Sequence, residues 1–462
     1  MGGWRARRHG GGAARAARRD ADGATGHRMN MVDDRLPVVL VILDGLGDRP
    51  VPELGGATPS EAAHTPVLDA LAAAGASGWH LPFGWGVATS SERSHWAMLG
   101  YAGEPFCGRA VLEALGAGID VDHGAVAVHG ALRTSRAAGD RLWITGRAGP
   151  GDRDDVAALV DELAGTAGRH GVHIVTLPPA DRGEVLLLLP RCDSAEITDS
   201  DPFFEHLHPW LRVRPTSPPG RLTADALTAF LLDARTSLVA SPVNATRGRP
   251  LDVLTTKWAG MRRPLPTFAE RVGVPGAAVT STRLYRGLST LLGLRQHHVA
   301  PDADVAADLR TRLEVADGLI SEGARFVHVH TKATDEAGHT KDPHAKRDVL
   351  AAADAGLAGL PELARRAVVA VTGDHATPSV GGVLHTGDPT PLVVAGPAVR
   401  PDAVRRFGES FAAHGCYGGL RATELLPLLF GHANRPAFLG HRPAPAETVA
   451  LPDDPEPMPP GR

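Results

Sequence analysis

The strongest constraint in this sequence is a recurring short apolar run that stops on acid or histidine. Leu36-Pro-Val-Val-Leu-Val-Ile-Leu43 is followed by Asp44-Gly45, Phe326–His330 leads to Asp335, and Val368–Thr372 gives way to Gly373-Asp374-His375. Runs of this length, rich in β-branched residues, read as buried strands. His173–Leu177, Val185–Leu189 and Pro391–Ala395 fit the same reading. Alanine-rich helical stretches lie between them, at 61–74, 154–166, 222–235, 303–321 and 345–358. The alternation predicts an α/β fold, a mostly parallel sheet covered by helices on both faces. In such sheets ligands collect at the carboxyl ends of the strands, where these acids and histidines stand.

The acid- and histidine-rich motifs fall in two blocks, 44–113 and 329–388. The stretch between has strands and helices of its own but few such clusters. This distribution predicts a split catalytic domain, 35–122 and 297–441, interrupted by a smaller inserted α/β domain over 123–296. Residues 1–34 carry Arg5, Arg7, Arg8, Arg15, Arg18 and Arg19 among Gly and Ala, with no apolar core of a secretory signal. They read as a disordered basic extension, or as sequence ahead of a true start at Met29 or Met31. Residues 442–462, rich in Pro and acid without periodicity, read as a disordered tail.

Composition narrows the function classes. With 462 residues, 43% of them hydrophobic, the chain can bury a large core. No apolar stretch approaches the roughly 20 residues of a membrane helix. A net charge of −4 gives no general case for a nucleic-acid partner. Cys107, Cys192 and Cys416 are far apart and never at metal spacing, so they read as thiols in a reducing cytoplasm. Oligomeric state is left open.

Five segments carry chemistry. Asp44-Gly45 releases a carboxylate at a strand end. Thr89-Ser90-Ser91-Glu92-Arg93-Ser94-His95 places hydroxyls before a helical run, where they can cap it or face a phosphoryl group. Asp335 and His339 are four residues apart, on one face of a helical turn. Asp374 and His375 point different ways, so the pair could bridge two metals or bind one while orienting the other. His385-Thr-Gly-Asp388 follows ten residues on. Each has a plainer reading alone: a turn, a cap, a buried polar pair. Together, three Asp, three His and one Ser suffice for two divalent ions about 4 Å apart. Mixed carboxylate and imidazole donors suit Mn²⁺ or Zn²⁺ better than Ca²⁺, with Mg²⁺ also compatible; Mn²⁺ is the first expectation. Two such ions beside a serine imply phosphoryl transfer through a phosphoserine. A Gly-x-x-x-x-Gly-Lys-Ser/Thr loop is missing, which argues against an ATP-driven version. Lysine is scarce: Lys257, Lys332, Lys341 and Lys346 are the only four, and Lys332 lies inside the densest motif.

In this order the residues resemble the alkaline phosphatase superfamily, and within it the cofactor-independent phosphoglycerate mutases of the archaeal type. The similarity runs from about Leu36 to about Gly431 through ILDGLGDRPVPELGGATPSEAAHTP (42–66), GRAVLEALGAGI (108–119), HTKATDEAGH (330–339), VTGDHATP (371–378) and LHTGDPTP (384–391). The resemblance implies that Asp44, Ser91, Asp374 and His375 hold one metal, with Ser91 phosphorylated, and that Asp335, His339 and His385 hold the other. An S-E-x-x-H pattern through His95 registers Ser91 rather than Ser90, although Ser91-Glu92 is closer to the bacterial branch than to the archaeal Gly-Ser-Asp. Lys332 is expected to contact phosphate.

The insert matches less well. Arg133 is followed by Thr-Ser rather than a Cys-Asn type pair, Arg147 lacks a preceding acid, and Asp181-Arg182 stands where His-Arg is common. Phe203 ends an element that begins at Asp199, and Asp308 or a neighbour replaces a lysine. Arg133, Arg147, Arg182 and Lys257 are the expected substrate-binding residues. The resemblance implies a mutase interconverting 3-phosphoglycerate and 2-phosphoglycerate. The altered insert leaves an alternative: a mutase or phosphohydrolase of a related phosphate or phosphonate ester in secondary metabolism. A non-catalytic binder on the same fold would not need all seven ligands.

Overall fold

Strand β1 (Val38–Leu43) sets the centre of the fold. Val38, Leu40 and Ile42 enter one apolar cluster while Val39, Val41 and Leu43 enter another, all fully buried. A strand apolar on both faces is stable only inside a sheet covered on both sides. The computed structural model describes residues 34–179, 182–201, 208–453, 455–456 and 458–459. The expected basic extension up to residue 33, Asp181 and Phe203 lie outside the described residues. The description below concerns Leu36 onward.

The remaining strands are β2 (Ala76–His80), β3 (Val126–Ala138), β4 (Arg141–Arg147), β5 (His173–Thr176), β6 (Glu184–Leu189), β7 (His208–Pro209) and β8 (Val253–Met261). They continue with β9 (Gly276–Thr280), β10 (Arg295–His298), β11 (Phe326–Thr331), β12 (Val368–Thr372), β13 (Thr390–Ala395) and β14 (Gly419–Leu420). The larger sheet runs β10-β9-β11-β1-β12-β13-β2-β14. Its pairings are parallel except those of β13, which lies antiparallel to β12 and β2. The register sets Leu43 beside Thr331 and Ile42 beside Thr372, so Asp44, Lys332 and Gly373 leave the sheet side by side.

The smaller sheet runs β5-β6-β3-β4-β7, with β8 also paired to β3, and every described pairing is antiparallel. Helices Arg153–Arg169 and Arg221–Ala240 cover it, burying Val156, Leu159, Leu227 and Phe230 against Val126, Val128 and Leu187.

Three expectations are corrected. The insert does not extend to 296 by sheet membership: β9 and β10 belong to the larger sheet, and the smaller sheet ends at Met261. Motif density marks where the chemistry is, not which sheet a strand joins. The run Pro391–Ala395 is the strand expected, and it lies antiparallel in the mostly parallel sheet, since an apolar run carries no direction. The helix expected over 61–74 is two, Pro59–Ala62 and Pro66–Ala74, because proline starts a helix but cannot continue one. The tail is not loose throughout: Val449 and Ala450 donate backbone bonds to Arg271 and Val272, and Asp453 pairs with the buried Arg435.

Helices Arg109–Gly116 and Arg283–Leu292 touch backbone to backbone. A Cβ on Gly287 would lie 1.8 Å from the Leu112 carbonyl oxygen, and one on Gly116 would lie 1.9 Å from that of Arg283. Gly287→Ala should therefore force the pair apart and cost about 1–3 kcal/mol in a urea unfolding titration; an unchanged midpoint would contradict the close packing.

Candidate metal centre

The turn after β1 is built for close approach. Gly45 has φ +63°, and a Cβ there would lie 2.6 Å from Asp335 Oδ1 and 2.5 Å from Thr377 Oγ1. Its N–H donates to Asp374 Oδ1 at 3.0 Å. Lys346, fully buried, ties this turn to the one after β12: its ammonium donates to the carbonyls of Gly45, Gly47 and Thr377 and to Asp48 at 2.8–3.1 Å. Helix Ala333–His339 sets Asp335 and His339 one turn apart, 3.2 Å between Oδ2 and Nε2. Ser91 opens helix Ser91–Trp96. Ser90 occupies the cap position, but its hydroxyl goes to Glu92 rather than to the helix backbone.

Two donor groups result. Asp44, Asp374 and His375 offer atoms within 4.8 Å of one another, and so do Asp335, His375 and His385. Ser91 Oγ lies 3.0 Å from His375 Nε2 and 3.5 Å from Asp44 Oδ1. His339 is further out: it meets Asp335, but its ring centre is 5.5 Å from that of His385. The imidazole tautomers are set from behind. His385 Nδ1 donates to the Thr89 carbonyl at 2.8 Å, leaving Nε2 as a lone-pair donor. Thr377 donates its hydroxyl proton to Asp335 and so accepts from His375 Nδ1, freeing His375 Nε2 in the same way.

These residues fit a cation. Asp44, Asp335 and Asp374 are all buried, and Lys332 is the ammonium among them, 3.0 Å from Asp44 and 2.6 Å from Asp335. Burial raises the Asp44 carboxyl, but Lys332 and the His330 hydrogen bond prevail and hold it well below the usual range. Asp335 is likewise pulled well down against burial by His339 and Lys332. Burial and the charge of Asp44 drive Asp374 well above the usual carboxylate range. Its Oδ2 and His385 Nε2 are buried without a hydrogen-bond partner among the described residues. Burial and the neighbouring His385 depress His375 to about 3, which keeps the ring neutral, the form that binds metal. Unpaired carboxylate and imidazole donors facing one space match the chemistry of a divalent ion.

The structure gathers Asp44, Ser91, Asp335, Asp374, His375 and His385 closely, with His339 at the edge. Lys332 sits on the carboxylates. Asp388 instead accepts from Arg49 and Thr386. Of the expected substrate residues, Arg133 and Arg147 are register partners on β3 and β4, and Lys257 lies on β8. Burial, with Arg133 and Arg109 nearby, holds the Lys257 ammonium below its ordinary value against the pull of Asp201. Arg182 is exposed and makes no described side-chain contact with this cluster.

Sequence reasoning missed Tyr285 and His330, which both donate to Asp44 Oδ2 at 2.9 Å. It also missed Arg109, which lies 3.9 Å over the Trp258 ring and reaches Glu92 beside Ser91. Trp258 itself sits at φ +62°, a backbone state that bulky residues avoid. His330 lay inside the best motif and could have been found there; Tyr285 had no local signal.

Fold and donor set are those of a metalloenzyme, and residues 36–431 match the Metalloenzyme superfamily. The 2,3-bisphosphoglycerate-independent phosphoglycerate mutase of Methanoculleus marisnigri is 34% identical over 409 residues, covering 86% of this chain and 97% of that protein. The solved cofactor-independent phosphoglycerate mutase from Thermoplasma acidophilum superposes with a TM-score of 0.58 at 30% identity, covering 86% of this chain and 99% of that one. A Pyrococcus horikoshii structure gives 0.71 at 28% identity, covering 88% and 100%. The chain belongs to this superfamily and, within it, to the family of 2,3-bisphosphoglycerate-independent phosphoglycerate mutases. No helix among the described residues is long and apolar enough to cross a membrane.

The packing of His80 makes a pH prediction. Burial depresses this imidazole to about 4, against its hydrogen bond to the Gly373 carbonyl. An unfolded histidine titrates near 6.5, so between these values the unfolded chain binds a proton that the native one does not. Stability present in full above pH 6.5 should be lost progressively down to about pH 4. In chelator-treated protein, His80→Gln should flatten that slope by about 1.4 kcal/mol per pH unit in urea titrations; equal slopes would contradict this.

Proposed function

We propose that the chain is a metal-dependent mutase interconverting 3-phosphoglycerate and 2-phosphoglycerate through a phosphoserine on Ser91. The observation that carries the reading is the seat of Ser91 Oγ, within 3.5 Å of His375 and Asp44 where two donor groups meet. Asp44, Ser91, Asp374 and His375 would hold one divalent ion, and Asp335, His339 and His385 a second. The donor chemistry favours Mn²⁺, with Zn²⁺ and Mg²⁺ as alternatives. When bound, such ions neutralise phosphoryl charge and ease deprotonation of a serine hydroxyl.

Ser91 Oγ attacks the phosphorus of 3-phosphoglycerate, the bond from phosphorus to the C3 oxygen breaks, and glycerate stays in the site. The glycerate turns so that its C2 hydroxyl attacks the phosphoserine, which restores Ser91. The proton lost by Ser91 in the first half returns in the second, so the reaction is a net isomerisation. Lys332, beside Asp44 and Asp335, would meet phosphoryl oxygens. Arg133, Arg147 and Lys257, with Arg109, form the cationic cluster suited to the glycerate carboxylate; Arg182 is the weakest of the expected set. Closure of the smaller sheet over the site would keep out water, which would otherwise turn the phosphoserine step into hydrolysis. Unpaired Cys107, Cys192 and Cys416 fit the reducing cytoplasm in which a glycolytic mutase would work.

The test is direct. Purified protein with Mn²⁺ and 3-phosphoglycerate should form 2-phosphoglycerate much faster than free phosphate. Ser91→Ala should lower isomerisation by on the order of 10³-fold or more while leaving the fold intact. Isomerisation by that variant at the wild-type rate would refute the nucleophile. Phosphate release in place of isomer would favour the phosphohydrolase of a related ester.

A further inference from the structure

Asp44 uses its two carboxylate oxygens differently. Oδ2 accepts from Tyr285 at 2.9 Å, His330 at 2.9 Å and Lys332 at 3.0 Å. Oδ1 faces Ser91 at 3.5 Å and His375 at 3.4 Å. Two of the three donors to Oδ2 are fully buried, and the Tyr285 ring packs on the His330 ring with 3.7 Å between centres. The Tyr285 hydroxyl thus helps decide which Asp44 oxygen remains for a cation.

Tyr285 lies in the first turn of helix Arg283–Leu292, two residues after Arg283. Arg283 binds Glu113 at 2.5 Å and Glu184 of β6 at 2.8 Å, and it also donates to the Pro178 carbonyl. Glu113 is buried and shared with Arg109, which continues to Glu92 beside Ser91. The helices bearing Arg109 and Arg283 are packed at backbone contact through Gly116 and Gly287 as one close-packed block. Gly108, just ahead of that block, meets Gly260 of β8 equally closely: a Cβ on Gly108 would lie 2.4 Å from the Gly260 Cα. One side of the block therefore grips the smaller sheet, and the other holds Asp44 and the residue next to Ser91.

We infer that Tyr285 is a positioning residue that couples the seat of the smaller sheet to the metal-facing oxygen of Asp44. The inference rests on the reading of Asp44 as a metal ligand. When Glu184 holds Arg283, the block presents the Tyr285 hydroxyl to Oδ2 and leaves Oδ1 turned to the cation. When that grip is released, Asp44 loses its orienting donor and the ion is held less tightly.

The test is Mn²⁺ binding to the full chain, followed by the electron paramagnetic resonance of free Mn²⁺. Wild type, Asp44→Asn, Tyr285→Phe, Glu184→Gln and the double variant Tyr285→Phe/Glu184→Gln are compared. Tyr285→Phe should weaken binding 10- to 100-fold, the range for an outer partner of a ligand. Glu184→Gln should weaken it several-fold without touching a donor, and the double variant should bind no worse than Tyr285→Phe alone. Thermal unfolding without metal checks each fold, and Arg283→Lys replaces Glu184→Gln if the latter does not fold. Tyr285→Phe binding as wild type, while Asp44→Asn loses binding, overturns the positioning role. A silent Glu184→Gln, or losses that simply add in the double variant, overturns the coupling. Asp44→Asn binding as wild type would instead show that the metal reading itself fails, and the inference falls with it.

Discussion

Three carboxylates buried together are an expense that folding alone does not recover. Asp44, Asp335 and Asp374 have at most 2% of their surface exposed, and Lys332 is the ammonium placed among them. Removing several like charges from water is strongly unfavourable unless each is paired. Burial and the charge of Asp44 raise the Asp374 carboxyl, and its Oδ2 has no hydrogen-bond partner among the described residues. Much of the rest of the architecture serves to hold these groups where divalent cations would resolve that conflict.

The parallel register of β1, β11 and β12 supplies the coarse alignment, since Asp44, Lys332 and Gly373 emerge from neighbouring strand ends. Finer alignment comes from side chains that hold backbone. Lys346 gathers three carbonyls from two turns, and Gly45 lets the first turn approach Asp335 more closely than any side chain would allow. Hydrogen bonds behind the imidazoles fix their tautomers, so that lone pairs rather than protons face the site. Around this core the helix pair joined through Gly116 and Gly287 reaches from the metal centre to the smaller sheet. The cations of the smaller sheet and the buried acids at the strand ends are thus linked through one continuous set of contacts.

The centre was more legible in the sequence than the rest. Asp44, Asp374 and His375 follow apolar runs within two or three residues, and Asp335 and His339 share a helical turn; these are local patterns. Tyr285 was invisible because its partner, Asp44, is 241 residues away and its own helix carries no motif. The direction of β13 and the membership of β9 and β10 were illegible for the same reason: an apolar run announces a strand, while its partner is chosen by packing elsewhere. Lysine scarcity did point inward. Lys332 and Lys346 both proved structural to the centre, Lys332 on the acids and Lys346 on the turns that carry them. The cationic cluster proposed for the substrate was harder to read, since Arg109 and Trp258 meet across elements and Arg182 is exposed away from them.

The claim on which this account stands is that the acid cluster is a two-metal centre serving Ser91. Crystals grown with Mn²⁺ and measured near the manganese edge test it most directly. The account predicts two anomalous peaks, one among Asp44, Ser91, Asp374 and His375 and one among Asp335, His339 and His385. A single peak, or none with Lys332 still bridging Asp44 and Asp335, would contradict it.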